Sequence, residues 1–138
     1  SGTPGEPHTT VAFLLLDIDG FKTINDSLGH HAGDQALQTI AARLEAAVRD
    51  GDYVARIGGD EFVVILTGGV STRIADRIAT HLTHQIRQPI VLDGHTEHLN
   101  ASIGIAMAPR DGHNPSTVLR AADKALYKAK PSNRAGLR

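Results

Sequence analysis

The sequence predicts an α+β fold: a ferredoxin-like or palm-type antiparallel sheet, helices packed against it, and an added hairpin. Three patterns predict it. A continuous apolar run, Val11-Ala12-Phe13-Leu14-Leu15-Leu16, has the character of a central strand buried on both faces. Two stretches, from Asp34 and from about Thr72, repeat apolar residues every three or four positions, as amphipathic helices do. Pairs of strand-like runs flank turn signals at Gly58-Gly59-Asp60-Glu61 and Asp93-Gly94. A length of 138 residues suffices for one core and is too short for two ordinary domains.

The elements follow in order. Residues 1–10 are small, polar and bear Pro and Gly, so they read as a loop, linker or cloning scar, and the domain as residues 11–138. The first strand ends abruptly at Asp17. In the first long helix Leu37, Ile40, Ala41, Leu44 and Val48 form one stripe, with Asp34 placed as N-cap and Gly51 just past the end. Tyr53 to Ile57 and Phe62 to Leu66 make a hairpin across the diglycine. Ile74, Ile78 and Leu82 mark a helix to about Arg87, stopped by Pro89. A second hairpin pairs Ile90-Val91-Leu92 with a returning strand, Leu99 to Ala108. Ser116 opens a last helix carrying Val118, Leu119, Ala122, Ala125 and Leu126, ending near Pro131.

Composition narrows the chemistry. Fourteen Lys+Arg against 15 Asp+Glu give a formal net charge of -1, which argues against a surface built for nucleic acid or an anionic membrane. With no Cys there is no disulfide framework, thiol nucleophile or cysteine zinc site, and the chain fits a reducing, cytoplasmic compartment. The run Val11 to Leu16 is too short to span a bilayer. His81/His84 and His95/His98 have no third ligand in register, so a zinc site is not expected.

Two acidic groups carry the functional signal: Asp17-Ile18-Asp19 after the buried strand and Asp60-Glu61 at the diglycine turn. If the first strand lies beside the hairpin, Asp17 and Asp60 come together. Clustered carboxylates repel unless a cation joins them, so a hard, oxygen-seeking ion such as Mg²⁺ is the natural completion. Asp19 alone is read as a residue that decorates a turn. Gly58 and Gly59 let backbone approach a ligand closely, and exposed amides there suit phosphate oxygens. Phe21 and Phe62, next to the acids, read as core anchors.

Arg56-Ile57-Gly58-Gly59-Asp60-Glu61-Phe62 spells RIGGDEF, and the sequence closely resembles the GGDEF family of diguanylate cyclases. The likeness continues through Asp17-Ile18-Asp19-Gly20-Phe21-Lys22, Ile24-Asn25-Asp26, Gly29-His30, Gly33-Asp34, Ala101-Ser102-Ile103-Gly104 and Ala122-Asp123 to Tyr127 and Lys130, nearly the whole chain. The resemblance implies condensation of two GTP into cyclic di-GMP with release of two pyrophosphates, using Mg²⁺ or Mn²⁺, two ions per half-site. It implies that Asp17, the Ile18 carbonyl and Asp60 hold metal, and that Glu61 is a further ligand or a helper in activating the ribose 3′-hydroxyl. Asn25 and Asp34 match the guanine readers: a carboxylate accepts from the guanine ring NH and amino group, a pair adenine does not offer. Lys22, Lys130 and Arg134 match phosphate-binding positions; Phe21, Gly58 and Gly59 complete the substrate-binding set. The tail departs from the family's pattern, with Pro131 after Lys130, Asn133 where glycine is common and Ala135 for asparagine.

Arg49-Asp50-Gly51-Asp52 supplies an RxxD pattern with five residues between Asp52 and Gly58, the spacing of the family's product-binding inhibitory site. There the resemblance places Arg49 on the guanine or phosphate of cyclic di-GMP, Asp52 on its guanine edge, and Arg77 as a further contact. The family also carries a helix and a DxLT-type segment before its first strand. Only ten residues precede Val11 here, which reads as a trimmed or altered domain of uncertain activity, with apolar surface uncovered. The resemblance implies one GTP per domain, so that bond formation requires a second GGDEF domain facing the first, under control of sensor or phosphodiesterase domains elsewhere in a larger protein, soluble or membrane-anchored. The alternative is a catalytically silent module that binds GTP or cyclic di-GMP; an acidic structural domain leaves the coincidence of motifs unexplained.

Overall fold

In the computed structural model, which describes residues 10–131, the apolar run near the start sets the architecture. Five successive residues, Ala12 to Leu16, are buried, so the strand that carries them needs a neighbour on each edge and a layer on each face. Among the described residues the elements are β1 (Val11–Asp19), α1 (Phe21–Leu28), α2 (His30–Ala47), β2 (Tyr53–Arg56), β3 (Glu61–Leu66), α3 (Thr72–Ile86), β4 (Ile90–Leu92), β5 (His95–Glu97), β6 (Asn100–Ala108) and α4 (Pro115–Ala129). The sheet runs β2-β3-β1-β6, antiparallel throughout, and β4-β5 form a separate two-stranded ribbon.

Side-chain alternation along β1 divides the core in two. Leu14, Leu16 and Ile18 enter the larger cluster with Phe21 and Ile24 of α1, Leu37, Ile40 and Leu44 of α2, and Leu82 and Ile86 of α3. Phe13 and Leu15 face the other way and pack with Val63, Ala106 and α4 residues Val118, Ala122 and Leu126. On that face α4 lies almost directly on backbone: a Cβ added at Gly104 would overlap the Ala122 carbonyl oxygen and stand 2.8 Å from the Leu126 Cα. Gly33 does the same between α1 and α2, where a Cβ would strike the Asn25 side chain and come within 3.2 Å of the Phe21 ring. Helix starts follow local chemistry. Ser71 caps α3 by accepting from the Ile74 N–H at 3.1 Å, and Asn114 caps α4 by accepting from the Thr117 N–H at 3.0 Å.

Several expectations are corrected. The first strand continues to Asp19, because Asp17, Ile18 and Asp19 all stay paired with β6, so both acids lie within the strand and not after it. The helix expected from Asp34 starts at His30 behind Gly29 (φ 93°), which also terminates α1; Asp34 is an exposed residue inside α2, not its N-cap. Asp93 and Gly94, both with positive φ, close a tight turn in which Leu92 pairs with His95, so the second hairpin returns through His95–Glu97. The run from Leu99 to Ala108 is no part of that hairpin. It supplies β6, which pairs with β1 over nine residues and completes the main sheet. Pro115, one residue earlier than expected, opens α4.

Candidate functional site

The period of two that buries Phe13 and Leu15 against α4 carries Asp17 and Asp19 to the same face, just beyond the apolar core. Across the ladder Asp17 pairs with Glu61 of β3 on one side and Ser102 of β6 on the other. The diglycine turn closes with the Ile57 N–H donating to the Glu61 carbonyl at 3.0 Å, and the Ile18 N–H donates to the Asp60 carbonyl at 3.1 Å. That last bond fixes the turn to β1, so Asp60 stands beside Asp17 as the sequence leads one to expect. Arg56 Nε donates to the carbonyls of Gly58 and Gly59, both at 3.1 Å, and holds the turn's shape.

Packing these carboxylates together is electrostatically costly and shifts their pKa values. Burial and then the Asp17 charge push the Asp60 carboxyl above the usual aspartate range. Glu61 is likewise raised, by burial first and then by Asp17, Asp60 and Asp123 of α4. Lys130, the C-cap residue of α4, forms ion pairs with Asp17 and, at 3.6 Å, with Asp19. Burial would lower its pKa, but the hydrogen bonds and charges of Asp17 and Asp19 outweigh that and keep the ammonium above its ordinary value. Asp17 Oδ1 is buried and accepts no hydrogen bond. An orphaned carboxylate oxygen beside two carboxyls of raised pKa fits a hard divalent cation. Among the described residues no three His, Asp or Glu side chains converge as a ready-made metal cage. The acids gathered here are Asp17, Asp60 and Glu61 around Ile18, partly neutralised by Lys130.

Asp19 does more than decorate a turn. The buried Ser102 hydroxyl lies 2.9 and 3.1 Å from its two oxygens, and Lys130 pairs with it from α4. Sequence reasoning passed over Ser102, Asp123 and Arg56 as functional positions; their only signal was inclusion in the matching motifs.

The other candidate residues fall in separate places. Asn25 is half-buried against Gly33, the neighbour of Asp34, so the α1–α2 crossing brings the two expected guanine readers to one place. Phe21 is buried beneath them as a core anchor. Lys22 is exposed and pairs with Asp26 at 3.3 Å. Gly58 and Gly59 are exposed at the turn. Arg134 lies outside the described residues.

The RxxD segment folds as a clamp. Asp52, with its side chain 1% exposed, accepts from the Arg49 N–H at 3.1 Å, from Arg49 Nε at 3.2 Å and from the Thr67 N–H at 3.0 Å. Arg49 also donates to the Thr67 carbonyl at 2.9 Å, and its side chain is 55% exposed. Arg49 is thus presented to solvent while the Asp52 carboxylate faces inward, and Arg77 is exposed on α3. An open cleft of about 390 Å³ lies over this segment, lined by Glu45, Val48, Arg49, Asp52 and Tyr53.

The clamp predicts a pH-dependent stability. Burial would raise the Asp52 carboxyl, but hydrogen bonds from Arg49 and Thr67 win and hold it below the ordinary aspartate value of 3.8. A folded-state pKa below the unfolded one contributes stability present above the unfolded pKa and lost as pH falls through the folded one. Asp52→Ala is therefore expected to cost about 2 kcal/mol at neutral pH, from the lost charge-assisted bonds and the unpaired Thr67 N–H. In urea denaturation series the gap from wild type should narrow below pH 3.8.

The family profile described as "Diguanylate cyclase, GGDEF domain" matches residues 3–136. Diguanylate cyclase TpbB of Pseudomonas aeruginosa is 43% identical over 134 residues, covering 96% of this chain and 31% of that protein. Signaling protein YkoW of Bacillus subtilis is 42% identical over 132 residues, 95% of this chain and 16% of that protein, so the chain spans under a third of either relative. The solved GGDEF domain of TpbB superposes with a TM-score of 0.85 at 44% identity, covering 89% of this chain and 77% of that one. The GGDEF domain of DgcB from Caulobacter crescentus, solved in complex with c-di-GMP, gives 0.80 at 27% identity, covering 92% and 74%. No helix among the described residues is long and apolar enough to cross a membrane. With the profile running across nearly its full length and the acid-bearing hairpin seated against β1, the chain belongs to the GGDEF-domain family of diguanylate cyclases.

Proposed function

We propose that the chain is a diguanylate cyclase domain that condenses two GTP into cyclic di-GMP and two pyrophosphates, working as a pair of facing domains. The observation that carries the reading is the seating of Asp60 against β1 by the Ile18 N–H to Asp60 carbonyl bond, which sets two carboxylates side by side with an orphaned oxygen between the strands. Asp17, Asp60 and the Ile18 carbonyl would hold Mg²⁺ or Mn²⁺, with Glu61 alongside. Bound there, two such ions per domain neutralise charge on the α-phosphoryl group and lower the pKa of the attacking 3′-hydroxyl.

The chain's own groups do the rest. Asn25 and Asp34 at the α1–α2 crossing read the guanine edge and discriminate against adenine. Glu61, across the ladder from Asp17, is assigned to receive the 3′-hydroxyl proton of a GTP presented by the facing domain. The oxygen it frees attacks the α-phosphorus, the bond to the bridging oxygen breaks, and pyrophosphate leaves. Lys22, Lys130 and Arg134 are assigned to the phosphates, and the Gly58-Gly59 turn to close backbone approach. Two attacks close the ring, so a second copy of the domain is a required partner.

Product inhibition would act at Arg49, with Asp52 and Arg77. The exposed Arg49 guanidinium supports this, and the inward Asp52 carboxylate assigns Asp52 to holding that guanidinium in place until ligand competes for it. Titration of cyclic di-GMP into Arg49→Ala is expected to show weakened binding and relieved inhibition; unchanged affinity and inhibition would remove this part of the proposal.

The deciding experiment is incubation of concentrated protein with GTP and Mg²⁺, followed by chromatography for cyclic di-GMP. Product should rise more steeply than linearly with protein concentration. GTP binding with no product, even after forced dimerisation, would make the chain a silent nucleotide-binding module.

A further inference from the structure

We propose that Lys130 is the resident counter-cation of the carboxylate site, and that it leaves the carboxylates for nucleotide phosphate when a divalent cation takes its place. The inference deepens the reading above and rests on the carboxylates being the divalent-cation site.

Lys130 arrives from α4, over a hundred residues from the acids it meets, and is the C-cap residue, where the backbone turns extended (φ -65°, ψ 134°). The helix behind it is immobilised one turn back, where Leu126 and Ala122 press on the backbone of Gly104. The pivot of the side chain is thus fixed, its four-carbon stem has rotatable bonds along its length, and the ammonium is a point charge with no directional fork to lose. At its far end it meets Asp17 and Asp19, whose side chains are 14% and 22% exposed. Ser102 holds Asp19 in place to receive it. Asp17, which is also a proposed metal ligand, therefore has one oxygen on the ammonium and the other buried without a partner.

While no nucleotide phosphate is there to balance the charge, the ammonium and a divalent ion held by Asp17 would compete for the same carboxylate, and like charges in a partly desolvated site repel. Without nucleotide Lys130 has no better partner than Asp17 and Asp19, so it opposes metal entry. The phosphates of GTP offer it a second set of anionic oxygens, and its departure opens the carboxylates. One side chain thereby couples metal and nucleotide binding, and the coupling is reciprocal. The device keeps crowded acids neutralised in the empty domain and admits the metal chiefly together with its substrate.

The test is Mn²⁺ binding to nucleotide-free protein, read by the electron paramagnetic resonance signal of the free ion, for wild type, Lys130→Met, Lys130→Arg and Asp60→Asn. Lys130→Met is expected to bind Mn²⁺ roughly tenfold more tightly than wild type and GTP more weakly. Lys130→Arg, which keeps the charge, should remain near wild type in Mn²⁺ affinity. Equal or weaker Mn²⁺ binding by Lys130→Met, while Asp60→Asn still abolishes it, would overturn the exchange and leave the metal site standing. A Lys130→Arg affinity as high as that of Lys130→Met would also overturn it, since charge would then not be the cause. Absence of Mn²⁺ binding in every protein, with GTP present or not, would overturn the metal reading and the exchange with it.

Discussion

Asp60→Asn is expected to reduce cyclic di-GMP formation by roughly a thousandfold or more while leaving the domain folded and more resistant to heat at neutral pH. The loss follows from the assignment of Asp60 to the metal: the amide has the carboxylate's shape but not its charge, and charge neutralisation at the α-phosphoryl group is what the site is proposed to supply. The gain in stability has a separate cause. The ionised Asp60 side chain is crowded by burial and by Asp17, which is why its pKa lies above the ordinary value, and the neutral amide removes that repulsion. The contact that seats the turn on β1 uses the Asp60 backbone carbonyl, so it survives the substitution. Product assays with thermal melts check both halves. Substantial turnover in Asp60→Asn would remove Asp60 from the machinery, and a lower melting temperature would mean that the acids are not crowded as described.

Gly104→Ala is the substitution expected to cost the fold most. Its new methyl group would overlap the Ala122 carbonyl oxygen and crowd the Leu126 backbone, and helix backbone cannot rotate aside as a side chain can. The expected loss is about 3 kcal/mol, near the upper end for overpacking, which lowers the melting temperature by roughly 10 °C in a chain of this size. A second consequence reaches the site. Lifting α4 off β6 moves Lys130 and Asp123 away from the carboxylates, so Lys130→Met should add less to the Mn²⁺ affinity of Gly104→Ala than it adds to wild type. A melting temperature within a few degrees of wild type would show that α4 does not pack on the Gly104 backbone as tightly as the structure has it.

Much of this is written locally in the chain. The apolar run in β1 requires a central strand, the diglycine between two strand-like runs requires a hairpin, and the acids at the ends of both are near one another once the hairpin lies beside the strand. The helix start near Thr72 and the stop at Pro89 acted through neighbouring residues and were legible for that reason. Reading failed where a local signal competed with a distant partner. Leu99 to Ala108 looks like the return of the Asp93-Gly94 hairpin until β1 offers it nine residues of ladder. Asp34 has the chemistry of a cap, but Gly29 ends one helix and begins the next before Asp34 is reached.

The sequence by itself determined the family, through the resemblance its motifs carry, and the central strand, through its apolar run; the meeting of Asp17 with Asp60 followed once the hairpin was laid beside that strand. Only the tertiary structure decided that Asp19 is held by Ser102, that Lys130 sits on Asp17 and Asp19, and that Asp52 faces inward beneath Arg49. A carboxylate's role depends on which cation or donor reaches it. The Lys130 and Ser102 that reach these acids come from elements more than 80 residues away, Ser102 through the β1–β6 ladder and Lys130 on the helix packed against one face of the sheet.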